Sequence, residues 1–125
     1  MVAKSKTILL VEDEQIVRET LGMIFTKHGF ALYEAVDGVE GLKVFEEHSD
    51  SIDVVLMDLT MPRMNGLEAS QKICELKPDA RIILCSGYGI EDAQEKFAHC
   101  PFAAYVKKPF KINALVEKIE SLCDE

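Results

Sequence analysis

Two kinds of apolar pattern alternate along the chain. Short aliphatic runs, opened by no more than one polar residue, occupy residues 7–11, 54–57 and 81–85, and weaker ones occupy 31–35 and 102–106. Runs of this kind read as strands covered on both faces. Between them, apolar residues recur at helical spacing: Ile16, Val17, Thr20, Leu21, Ile24 and Phe25, then Val39, Leu42 and Phe45. Leu67, Ser70, Ile73 and Cys74 continue the pattern, and Ile112, Leu115, Val116, Ile119 and Leu122 form a closing stripe. The spacing predicts amphipathic helices, the second with Val39, Leu42 and Phe45 toward the core and Glu46-Glu47-His48 toward water. Residues 90–98 predict one further short helix.

The punctuation agrees with this division. Gly29 supplies a helix stop after Lys27-His28, and Asp37 with Glu40 three residues on forms a capped start. Pro62 and Gly66 break the chain after the third strand, Pro78-Asp79 ends the third helix, and Ser86-Gly87-Tyr88-Gly89 is a polar exit from the fourth strand. Five strands in alternation with helices imply a parallel sheet, because parallel neighbours need right-handed crossovers. The predicted fold is a flavodoxin-like α/β domain, doubly wound, with a five-stranded parallel sheet of order 2-1-3-4-5 and helices on both faces. Residues 1–6 read as a lead and 7–123 as one domain. A chain of 125 residues buries about two-thirds of its unfolded surface without a staple.

Composition narrows the setting. Asp and Glu outnumber Lys and Arg by 22 to 14, a formal charge of −8, which argues against nucleic acid or an anionic membrane as partner. Cys74, Cys85, Cys100 and Cys123 are scattered, with no Cys-x-x-Cys pair, and read as reduced structural thiols. No apolar run approaches the ~20 residues of a membrane span. A soluble, cytoplasmic protein without membrane insertion is expected.

In the predicted order, the carboxyl ends of strands one, three, four and five border one crevice, where ligands bind in open α/β sheets. Those ends supply Glu12 and Asp13, then Asp58, Ser86 and Lys108. Carboxylates gathered in one place repel unless a divalent cation joins them, and an oxygen-only set favours Mg²⁺ over Zn²⁺. With a lysine and a hydroxyl added, the crevice suits a tetrahedral anion, and Asp58 is the natural nucleophile toward phosphorus. Singly, each residue has a plainer role: an acidic helix start at Glu12-Asp13-Glu14, a solvated Lys108, a turn hydroxyl at Ser86, a half-buried Tyr105. His28, His48 and His99 read as surface or structural residues.

The strings Ile8-Leu9-Leu10-Val11-Glu12-Asp13-Glu14, Met57-Asp58-Leu59-Thr60-Met61-Pro62-Arg63-Met64-Asn65-Gly66, Ser86-Gly87-Tyr88 and Tyr105-Val106-Lys107-Lys108-Pro109-Phe110 occur in that order. On them the chain resembles the receiver domain of two-component response regulators, from about Thr7 to Leu122. The resemblance implies that Asp58 accepts a phosphoryl group from a phosphohistidine on a histidine kinase or histidine phosphotransfer protein. Mg²⁺ would be held by Asp13, Asp58 and the backbone carbonyl of Thr60, with Glu12 acting mostly through water. Lys108 would pair with the phosphoryl oxygens, Ser86 would be the switch hydroxyl, Tyr105 would turn inward, and the Lys108-Pro109 bond would be cis. The responding surface would be the fourth helix, the fifth strand and the last helix, in a monomer or a phosphorylation-dependent dimer. Such a protein is not a turnover enzyme, though it catalyses its own phosphorylation and slow dephosphorylation.

Two positions depart from the family's usual pattern. Glu12 stands where aspartate is commonest, and Ser86-Gly87-Tyr88 looks more like receivers of hybrid histidine kinases than those of stand-alone regulators. No output segment is expected within the 125 residues, which leaves a single-domain regulator and a receiver of a longer protein both open. Two other classes compete. A Mg²⁺-dependent aspartyl-phosphate phosphohydrolase would carry a second carboxylate two residues after its nucleophile, where this chain has Thr60. A pseudo-receiver would bind partners without phosphorylation, and it would not need the full set of acids, hydroxyl and lysine. Tyr88, close to Ser86, is expected to shield the acyl phosphate from water. Tyr88→Ala should therefore shorten its lifetime in Mg²⁺, followed as loss of the phosphorylated mass; equal or slower decay in the variant refutes the shielding.

Overall fold

The computed structural model describes residues 6–58, 66–86, 103–107 and 111–123; Gly66, Leu67, Ser86, Ala103, Tyr105, Lys107 and Cys123 are described by backbone alone. In chain order the elements are β1 (Thr7–Val11), α1 (Gln15–Lys27), β2 (Ala31–Ala35), α2 (Gly38–His48) and β3 (Val54–Asp58). Then come α3 (Gly66–Leu76), β4 (Ile82–Ser86), β5 (Ala103–Lys107) and α4 (Ile112–Cys123). The strands pair in parallel in the order β2-β1-β3-β4-β5, with Val11 opposite Met57, Asp58 opposite Cys85 and Ser86 opposite Lys107. The predicted helix at 90–98 lies outside the described residues.

Successive strand residues point to opposite faces, and here both faces are filled. Leu9, Val11, Val55, Met57, Ile82 and Leu84 pack on one side, under Phe45 of α2 and Ile73 of α3. Ile8, Leu10, Val54, Leu56, Ile83 and Cys85 pack on the other, under Leu21 and Phe25 of α1 and Leu115 and Ile119 of α4. The unbroken apolar runs of the sequence thus resolve into two alternating sets, one for each layer of helices.

Local chemistry ends the elements where the sequence indicates. At the end of α1, Gly29 takes φ 90°, and the N–H groups of Gly29 and Phe30 donate to the carbonyls of Thr26 and Phe25. This paired closure is completed by an edge-on contact of the Phe25 and Phe30 rings, 6.2 Å between centroids. Before α2, Asp37 Oδ1 accepts from the Glu40 N–H at 2.8 Å, and Glu40 Oε1 accepts from the Val36 N–H at 3.0 Å. At the amino end of the sheet, Asp53 clamps β1: its N–H donates to the Thr7 carbonyl at 2.9 Å, and its Oδ2 accepts from the Thr7 N–H at 2.7 Å.

Several expectations are corrected. Ile16 is 79% exposed and Val39 56% exposed rather than buried. Both lie in the first turn of a helix that starts beyond the carboxyl rim of the sheet, where no strand remains to pack on. His48 does not simply face water; its ring stacks on Tyr33, 4.4 Å between centroids. β4 and β5 each begin and end one residue later than the apolar runs, so Ser86 closes β4 instead of opening the loop. Cys74 is disulfide-bonded, contrary to the expectation of four reduced thiols, while Cys85 is in no disulfide. Distance along the sequence does not measure distance in the fold, and the other sulfur lies outside the described side chains. Among the described residues no helix is long and apolar enough to cross a membrane.

Gly41 sets the approach of α2 to the sheet. A Cβ there would stand 2.8 Å from Val11 Cγ2, inside van der Waals contact with a buried side chain. Gly41→Ala should therefore destabilise the fold by about 1–3 kcal/mol despite the better helix propensity of alanine, read as a lower midpoint in urea unfolding. An unchanged midpoint would show that α2 can shift without cost.

Candidate functional site

Parity builds the site. In β1 the residues that face α1 and α4 are Ile8 and Leu10, and in β3 they are Val54 and Leu56. Two residues further on, the same face receives Glu12 and Asp58. Both are buried, at 3% and 4% exposure, beside Cys85 in a cleft floored by Val17, Leu21 and Leu56. Asp13 follows from the loop and is exposed. One carboxylate oxygen from each of Glu12, Asp13 and Asp58 lies within 4.8 Å of the others.

Glu12 is held along its whole length. Its N–H donates to the Ala35 carbonyl at 3.1 Å, extending the β1–β2 ladder one residue past the strand. Its own carbonyl accepts from Arg18 Nη1 at 2.9 Å, and its Oε2 accepts from the Glu14 N–H at 3.1 Å. Glu14 is the N-cap of α1 and its own side chain caps nothing. The Glu12 carboxylate therefore satisfies a backbone donor at the positive end of the helix. Aspartate, one methylene shorter, would reach less far toward that N–H.

Three carboxylates this close, two of them buried, are mutually repulsive in a poorly screened setting. A hard divalent cation relieves that repulsion, and the donor set fits one. All three donors are oxygens, and no sulfur or imidazole joins the group among the described residues.

The structure thus brings together three of the predicted site residues, Glu12, Asp13 and Asp58. Ser86 and Tyr105 are placed by backbone, Ser86 as the last residue of β4 and Tyr105 opposite Leu84 in β5. Thr60, Tyr88, Lys108 and the Lys108-Pro109 bond lie outside the described residues. Two contributors were missed by the sequence reading. Arg18, which the sequence pattern does not single out, reaches back to the strand tip; its place about one turn into α1, after an acidic loop, is the available signal. Cys85 reads as the end of an apolar run, and its register opposite Asp58 becomes visible only when the strands are paired.

Fold and site together define a parallel α/β protein with an acidic cluster that could hold a metal ion at the carboxyl edge of its sheet. The response regulator receiver domain family matches residues 8–120, and the chain belongs to that family. It is a receiver domain of two-component signalling, a phosphoacceptor switch. It is similar to the chemotaxis protein CheY of Treponema pallidum (strain Nichols), 34% identical over 116 residues that cover 92% of this chain and 81% of that protein. It is also similar to the sensor kinase CckA of Brucella abortus (strain 2308), 33% identical over 97% of this chain but only 13% of the kinase. Among solved structures, the response regulator TrrA of Thermotoga maritima in complex with Mg(2+)-BeF superposes with a TM-score of 0.81. That pair is 35% identical, over 94% of this chain and 98% of the other.

The geometry predicts a link between charge and stability. Asp58→Asn removes one of three clustered charges and should stabilise the metal-free protein by on the order of 1–3 kcal/mol in urea unfolding. Added Mg²⁺ should raise the midpoint of the wild type and leave the variant nearly unmoved. A variant less stable than wild type without metal would show that the carboxylates are not in conflict.

Proposed function

We propose that Asp58 is the phosphoacceptor of this receiver and that a phosphohistidine on a histidine kinase or histidine phosphotransfer protein is the donor. The supporting observation is the cluster of Glu12, Asp13 and Asp58 at the carboxyl edge of the sheet. A carboxylate oxygen of Asp58 attacks phosphorus in line with the leaving imidazole. The P–O bond forms as the P–N bond breaks, and the electron pair returns to the ring nitrogen. Asp58 is buried, at 4% exposure, and Asp13 beside it is exposed, which favours approach of the donor from the crevice.

Mg²⁺ is the cation we assign to the cluster, held by Asp13, Asp58 and the Thr60 carbonyl, with Glu12 in direct contact or through water. When bound, it neutralises charge on the carboxylates and the transferring group. A related regulator solved with Mg(2+)-BeF supports this choice. Lys108, next after β5, pairs with the phosphoryl oxygens. Ser86, at the end of β4, follows the phosphate, and Tyr105 on the neighbouring strand answers by turning inward. Ile16, exposed three residues beyond Asp13, offers the donor an apolar contact.

The added charge, about −1.5 to −2, shifts a population already sampled by the surface of the fourth predicted helix, β5 and the last helix. The receiver unit spans 7–123 and works in the cytoplasm. An overall charge of −8 disfavours nucleic acid as its partner. Intact mass after incubation with Mg²⁺ and acetyl phosphate tests the assignment. A single phosphoryl adduct is expected on the wild type and none on Asp58→Asn. No adduct on the wild type, or an undiminished one on the variant, overturns it.

A further inference from the structure

The half of α1 remote from the site carries none of the residues assigned to phosphoryl chemistry. There Glu19, Met23 and Lys27 follow at four-residue intervals, so they form one ridge about 12 Å long. All three are exposed, Met23 at 69%. Glu19 accepts from Gln15 Nε2 at 2.9 Å, and among the described residues neither Glu19 nor Lys27 has an ion-pair partner. The ridge thus sets an exposed thioether between an acid and a base that lack ion-pair partners among the described residues.

Beside the ridge, a groove of about 600 Å³ runs between α1 and the edge strand β2, with Leu32 on its floor and Glu34 on its wall. Gly22 keeps it open. A Cβ there would come within 3.2 Å of both Leu32 Cδ2 and Glu34 Oε1.

Met23 is the midpoint of the ridge, four residues from the acid and four from the base. The order acid, apolar, base is its own complement when turned through 180° about Met23. A two-fold contact asks for this, since each residue i meets j while j meets i. We propose that this face docks a second copy of the chain, with the two α1 helices antiparallel about an axis through Met23. Each Met23 then enters the other copy's groove, and each Glu19 meets Lys27 of the second copy, giving two equivalent ion pairs around a small apolar centre. This contact lies away from the surface assigned to the phosphorylation response and does not rest on that assignment.

Sedimentation equilibrium of the 125-residue chain tests it. The wild type should show a concentration-dependent dimer, and Met23→Glu should weaken association at least about tenfold. Glu19→Lys and Lys27→Glu should each weaken self-association by about tenfold, because each creates two like-charge contacts. Mixed together, those two single variants should associate with each other to within about threefold of wild type, since both contacts then pair acid with base. All three positions are exposed, so folding is expected to be unaffected, and circular dichroism melts verify it. A chain that stays monomeric to about 1 mM overturns the proposal. So does a dimer indifferent to these substitutions, or a mixture that fails to associate. If the chain stays monomeric while Met23→Glu slows transfer from a phosphohistidine donor, the face belongs to that donor instead.

Discussion

Mutual repulsion among Glu12, Asp13 and Asp58 is the constraint around which the molecule is arranged. A fold that lowered its own free energy above all would not place three carboxylate oxygens within 4.8 Å of one another with two of the groups buried. Here the arrangement is imposed by connectivity. Parallel strands carry their side chains in step, so the residue that follows a packed position on β1 and the one that follows a packed position on β3 must share a face. The two apolar layers hold the strands in that register, and the acids have nowhere else to go. Strain of this kind is inexpensive to keep when a large, well-packed body over-determines it.

The fold was largely legible because each level of the sequence points the same way. Unbroken aliphatic runs, helical stripes, Gly29 and the Asp37–Glu40 pair are independent signals, and they agree. The misreadings have one common source. Periodicity tells which way a side chain points and nothing about what stands opposite, so Ile16 and Val39 fit their stripes while lying beyond the rim of the sheet. Cys74 illustrates the same limit, since its bond depends on distances between elements. The candidate site was legible as a set of residue types at strand ends, but not as geometry. That Asp58 faces α1, that Glu12 is anchored by Arg18, and that Cys85 sits opposite Asp58 all follow from strand parity and register, which appear only when strands are paired.

Glu12 shows how one departure from a common pattern is accommodated. Its longer side chain reaches the N–H of Glu14, the residue that caps α1 without a side-chain bond of its own. The carboxylate belongs at once to an acidic cluster and to a helix end. Arg18 closes the circuit from the other side by holding the Glu12 carbonyl. The first turn of α1 and the tip of β1 are therefore one mechanical unit, and Gly41 brings α2 down against the residue just before it.

The clamp of Asp53 on Thr7, at the opposite end of the sheet, gives this asymmetry a further meaning. Both donor and acceptor of the first residue of β1 are spoken for by one partner, so the amino edge resists fraying at the point where the chain enters the sheet. The carboxyl edge ends instead in groups that push apart. The two ends of β1 therefore differ in kind, one tied by a reciprocal pair of hydrogen bonds and the other loaded with like charges. Amide protons at the base of β1 are therefore expected to be among the slowest of the domain to exchange. Responsiveness and durability are kept apart by the length of a five-residue strand.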